Sequence, residues 1–238
     1  MENVSKERII SASILAVGIL LLGWFIKAGI DDFANKDRKV SVKGLAEKEV
    51  KADKVTWPIV SKELGNDLPM LYDAIAAKQQ KIKAFLLRHG VKANEIETVA
   101  PRVNDLNAQD YSDNQSRLFR YNVTSIITVT SRNVDLVRGI IARQGELLKE
   151  GVAIVDGGYE NPVKYEYVSF MKLKPTMMKE AIENAEKTAR QFAENSHSDV
   201  DKIVSASQGE FSIDDRDSNT PYVKKVRVVT TVTYSLKD

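Results

Sequence analysis

The chain has 238 residues, 43% hydrophobic and 29% charged, which allows one or two domains with a sizeable core and a well-solvated surface. At a net charge of +2, the balance does not point to a nucleic-acid surface, which needs clustered Lys and Arg. The absence of cysteine excludes disulfides, thiolate nucleophiles, Cys-ligated zinc, iron–sulfur clusters and a lipidated cysteine.

Residues 9–26 read IISASILAVGILLLGWFI, with no charge over 18 residues. As a helix the run is ~27 Å long, close to a hydrocarbon core of about 30 Å. Lys6 and Arg8 precede it and Lys27 follows. Trp24 and Phe25 lie near its far end, where aromatic rings favour the membrane interface. The expectation is a single-pass anchor in the bilayer, carried by Ile9, Ile14, Leu20, Trp24, Phe25 and Ile26. A cleaved signal peptide is the first alternative, but the following IKAGIDDF makes a poor cleavage site. A buried globular helix is the second, and the run has no polar face for it. Lys27, Lys36, Arg38 and Lys39 balance the charges before the run, so charge alone leaves the orientation open. The expected organisation is an anchor at 1–30, a polar spacer at 31–38 and one domain at 39–238.

In chain order, Val40, Val42, Gly44 and Ala46 alternate with polar residues and predict a half-buried strand. Val55, Trp57 and Ile59 repeat the pattern, and Pro58 assigns that strand to an edge or a bulge. Asp67 reads as an N-cap with Pro69 in the first turn. Leu68, Leu71, Tyr72, Ile75, Ile82 and Leu86 then follow helical spacing, and Gly90 closes the helix. A strand is predicted over 96–103, followed by a long polar connection over 104–117. Phe119, Tyr121, Val123, Ser125, Ile127 and Val129 share one face of the next strand. Arg120, Asn122, Thr124 and Thr128 share the other, so this is the clearest half-exposed strand. Asn133 caps a second helix that ends at Gly151, and strands are predicted at 152–155 and 163–170. The third helix is placed from Pro175, with Ala181, Ala185, Ala189 and Ala193 spaced for close approach to a sheet. Strands over 202–208 and 223–236 complete an α+β fold with largely antiparallel strands and three long helices after the N-terminal one.

Catalytic signals are weak. His89 and His197 each fall at a predicted helix end, where a dipole-facing role is the simplest. Asp215, Asp217 and Asn219 resemble the start of a calcium loop, but Thr220 replaces the required glycine and Val226 the bidentate Glu. Glu47 and Glu49 share a strand face without an identifiable partner. No catalytic, cofactor-binding or metal residue is assigned.

The stretch VSVKGLAEKEVKADKV resembles the opening of the SIMPL domain, with Gly44, Glu47 and Asp53 matching its pattern. Ala46 and Ala52 stand where that family often has Gly and Pro. Gly90, Ile96 and Thr98 are similar to a later family motif. Arg120-Tyr121 is similar to its Gly-Tyr, and the helix through Ala189-Arg190 to its alanine-spaced helix. The resemblance implies a bacterial membrane-anchored protein, its domain outside the cytoplasm, with no established enzymatic activity and a tendency to ring-like or channel-like assembly. From it we expect a non-enzymatic, oligomeric scaffold or interaction protein of the cell envelope, anchored in the inner membrane. An envelope-ligand binder and an enzyme with an unrecognised site are the alternatives. Self-association is expected through Asn122 and Thr124 of the half-exposed strand and through Tyr111 and Arg117 of the connection.

Overall fold

The computed structural model describes residues 2–35, 38–108 and 118–237, with side chains of the first helix described for Ser13 and residues 15–30. Helices are α1 (Glu2–Asn35), α2 (Leu68–Arg88), α3 (Val134–Ile141), α4 (Gly145–Lys149) and α5 (Phe170–Asn195). Strands are β1 (Lys39–Lys51), β2 (Lys54–Gly65), β3 (Ile96–Thr98), β4 (Arg102–Asp105), β5 (Tyr121–Ser131), β6 (Lys164–Glu166), β7 (Asp199–Asp215) and β8 (Val223–Lys237). The fold is α+β with antiparallel sheets. Two compact units are formed: a terminal one (Met1–Lys48, Lys174–Ser212, Arg227–Asp238) and a central one (Glu49–Leu173, Ile213–Val226).

In the central unit the sheet runs β3-β5-β2-β6, with β4 also on β5. The β2–β5 ladder extends from Val55↔Ser131 to Gly65↔Tyr121. Its period of two puts Val55, Trp57, Ile59, Ile127 and Val129 on one face, against Ile82, Phe85 and Leu86 of α2 and Val137 and Ile140 of α3. Asp67 caps α2, its carboxylate accepting the Met70 N–H at 3.0 Å, and Gly90 leaves the helix at φ +94°. Leu68 and Tyr72, expected on the inner face of α2, are exposed instead.

Four local expectations change. First, β2 is an edge along part of its length rather than throughout: β5 pairs along one side, whereas on the other, among the described residues, only Lys54–Thr56 pair with β6 and Val60 bridges to Val155, which leaves Pro58 unpaired on that side. The Val60 carbonyl accepts from Val155 N–H, and Pro58 shares that parity, so its missing N–H faces the side where β6 has ended at Thr56. Second, the expected 96–103 strand is two strands along one side of β5, their registers offset by one residue across Val99–Pro101. Third, the helix expected up to Gly151 is broken. Arg143 and Gln144 bond back three residues, to Ile140 and Ile141, and this tight turn separates α3 from α4. Fourth, of the strands expected at 152–155 and 163–170, only β6 and a single bridge at Val155 form.

The terminal unit holds α1 and most of the β1-β8-β7 sheet. α5 starts five residues before the expected Pro175, which is accommodated inside the helix. Its buried Ala185 and Ala189 pack on Val42, Val232 and Tyr234. β7 spans 17 residues instead of the expected seven, and most of them are exposed.

Candidate functional site

The residues that carry the family resemblance do structural work. A Cβ at Gly44 would overlap the Ala181 carbonyl oxygen and lie 2.7 Å from the Ala185 nitrogen and 2.8 Å from its Cβ. Gly44 and the alanine row of α5 are thus two halves of one close contact. Asn184 reinforces it, its side-chain amide donating to the Leu45 carbonyl at 2.8 Å. Asp53 accepts the backbone N–H groups of Val168 at 2.6 Å and Ser169 at 2.9 Å, just ahead of α5. Of these, the Ser169 N–H is a donor that the start of α5 leaves without an intrahelical partner. Burial pushes the Asp53 carboxyl up, but the hydrogen bonds from Ser169 and Val168 and the charge of Arg132 outweigh it and hold the pKa below the ordinary aspartate value. Arg120 forms a two-pronged pair with Asp105, at 3.0 and 2.8 Å, and lies over the Tyr121 ring at 4.9 Å. That hydrogen bond is the main cause of the lowered Asp105 pKa.

The remaining chemical candidates also sit in structural contacts. His89 follows the last turn of α2, with Nδ1 2.8 Å from the Phe85 carbonyl and Nε2 3.4 Å from Glu146. His197 adopts φ +53° where α5 ends. Asp217 accepts Asn219 N–H at 2.9 Å and Thr220 N–H at 2.8 Å, organising the β7–β8 turn. The Thr220 hydroxyl and Arg216 also bond it, and its pKa falls to about 2. Glu47 pairs with Arg227 and Glu49 with Arg216, each at 3.4 Å. Among the described residues no group of acidic or His side chains is arranged to hold a metal ion.

Two concave features lie in the central unit. A cleft of about 300 Å³ is lined by Lys51, Asp53, Arg132, Asn133, Asp135 and Tyr222, and Arg138 stacks over the Tyr222 ring at 3.4 Å. A groove of about 480 Å³ is mostly apolar: Leu68, Pro69, Tyr72, Pro101, Val103 and Val123, with Asp73 at its side. Sequence reasoning missed this groove. The signal is Leu68 and Tyr72 at the start of α2, whose helical spacing predicts core positions but which stay exposed.

Of the expected interaction residues, Asn122 and Thr124 are half-buried on β5. β5 is not an open edge, because β2 pairs along one side and β3 and β4 along the other. Asn122 faces Leu64 and Asn104, and Thr124 faces Lys62 and Arg102. The Asn122 Oδ1 is buried with no hydrogen-bond partner among the described residues. Tyr111 and Arg117 lie outside the described residues.

Of the expected anchor residues, Leu20, Trp24, Phe25 and Ile26 are exposed on α1, and the Trp24 and Phe25 rings stand 5.6 Å apart. Ile9 and Ile14 fall in α1, but their side chains lie outside the described ones. Among the described residues no helix is long and apolar enough to cross a membrane.

A three-stranded sheet under an alanine-lined helix, with a five-stranded sheet under two further helices, defines an α+β protein whose motif residues are structural. The chain belongs to the SIMPL family, described as a protein of unknown function (DUF541), which matches residues 40–234. No curated protein matches it.

Proposed function

We propose that this SIMPL-family protein is a membrane-tethered, non-enzymatic assembly or interaction protein of the bacterial cell envelope, its domain outside the cytoplasm. The observation that carries the tether is the uncharged run over 9–26, which falls inside α1 and ends in Trp24 and Phe25. The family resemblance supports the compartment. Support for a non-enzymatic role comes from Asp53, Asp105 and Asp217, whose lowered pKa values follow from bonds to backbone, to Arg120 and within a turn. The test is fractionation: full-length protein stays in carbonate-washed membranes, and its recovery in the supernatant overturns the tether. A reporter fused after Asp238 that is active only in the cytoplasm overturns the orientation.

A second reading, a binder of small apolar envelope ligands, is favoured by the groove at Leu68, Tyr72, Pro101 and Val103. It requires that N-phenyl-1-naphthylamine fluoresce on the protein and that Tyr72→Glu abolish the signal.

A further inference from the structure

The apolar groove of the central unit carries a single charged side chain among its described lining residues, Asp73. Helical spacing sets its place. Leu68 and Tyr72 stand four residues apart on the first turns of α2, and Pro69 and Asp73 form the neighbouring row, so the carboxylate borders the apolar strip. Across the groove, Val103 of β4 pairs with Val123 of β5 on the sheet face that packs against α2. Val123 is buried, whereas Tyr72 is 63% and Val103 54% exposed, which gives a closed floor between open apolar walls.

The charges around the groove decide what it can hold. Other acids of this unit are neutralised in place: Glu63 pairs with Lys78, Asp105 with Arg120 and Glu150 with Arg88. Asp67 meets the positive end of α2 by accepting the Met70 N–H. The Asp73 carboxylate has no hydrogen-bond or ion-pair partner among the described residues, and no Lys or Arg lines the groove beside it. An anionic ligand would meet Asp73 with nothing to offset the repulsion, and a neutral one would leave the carboxylate unpaired. A ligand with an apolar body and one positive charge satisfies both parts of the site.

From this complementarity we propose that the groove selects cationic amphiphiles, the apolar body lying on Leu68, Tyr72, Pro101 and Val103 and an ammonium group pairing with Asp73. The inference rests on the ligand-binding reading of this groove and names the charge of its ligand.

The experiment is fluorine NMR of the full chain in a neutral detergent. Fluorotyrosine replaces every tyrosine, and the Tyr72 signal is assigned by its loss in Tyr72→Phe. Phenylbutylamine, phenylbutanol and phenylbutyrate share one apolar body and are positive, neutral and negative at neutral pH. Each is titrated against the wild type and against Asp73→Asn, which removes the charge at nearly constant volume. Detergent takes up the same share of each probe in both titrations, so any change in the relative affinities belongs to the protein. In the wild type the amine is expected to bind tighter than the alcohol, and the alcohol tighter than the carboxylate. Asp73→Asn is expected to cut the amine-to-alcohol affinity ratio roughly fivefold, Asp73→Glu to keep it, and Asp73→Lys to place the carboxylate ahead of the amine. Added salt shrinks the wild-type ratio. If the alcohol moves the Tyr72 signal but the ratio is the same in Asp73→Asn, the charge selection is wrong while the groove remains a ligand site. If no probe moves that signal, the ligand-binding reading falls and this inference with it.

Discussion

Two strands expected from the sequence behave in opposite ways. β5 carries Val123, Ser125, Ile127 and Val129 on a buried face, and its backbone is paired on both sides. β7 is longer, has a strand partner on one side only among the described residues and is exposed along most of its length. Periodicity reports whether a strand has a buried face. It does not report whether the strand lies at the centre or the edge of its sheet, because that depends on which distant segments pair with it.

Shortening an apolar side chain separates the two most strongly. Ile127→Ala, in the fully buried face of β5, is expected to lose about 2–5 kcal/mol of stability in urea titration. A loss below about 1 kcal/mol would mean that the β5 face is less well packed than described.

Next comes Gly44→Ala, which forces a Cβ into the α5 backbone and is expected to destabilise by about 1–3 kcal/mol. It tests whether β1, unlike β7, is held tightly beneath a helix. Ala181→Gly does not relieve it, because the overlap is with backbone.

Asp53→Asn follows, at about 1–2 kcal/mol at pH 7. Its pH dependence carries the sign. The folded pKa is depressed, so the stabilisation is complete above the unfolded value near 3.8 and is lost as pH falls through the lower folded value. Wild-type stability therefore drops more steeply below about pH 5 than that of Asp53→Asn. Equal slopes in acid denaturation would remove the account of Asp53 as a partner of the Val168 and Ser169 N–H groups.

The smallest effect is predicted for Ile203→Ala in β7. At concentrations where the chain is monomeric, its stability changes by no more than about 0.5 kcal/mol. A loss approaching that of Ile127→Ala would show that β7 is covered within its own chain and would end the comparison.

Local chemistry made much of the fold legible. The Asp67 cap and Gly90 stop follow from donors and acceptors left open at helix ends, which few residue types satisfy. The Asn133 cap followed the same logic, its side chain accepting the Leu136 N–H at 3.1 Å. The alanine spacing of α5 announced a close approach, and Gly44 supplied the other side of it. Asp53 was legible as a motif residue but not as the partner of two N–H groups more than 100 residues away. The helix break at 142–144 escaped notice because no proline or glycine marks those positions.

What the sequence determined on its own was therefore everything encoded over one or two turns or a few strand residues: caps, stops, burial faces, the uncharged 9–26 run and the family. Tertiary structure alone decided strand order, which placed β5 between two neighbours and β7 at an edge. It also turned the exposed first turn of α2 into one wall of a groove with Pro101 and Val103. Backbone N–H and C=O groups are the same at every residue, so strand partners are chosen by the packing of whole faces rather than by any local signal.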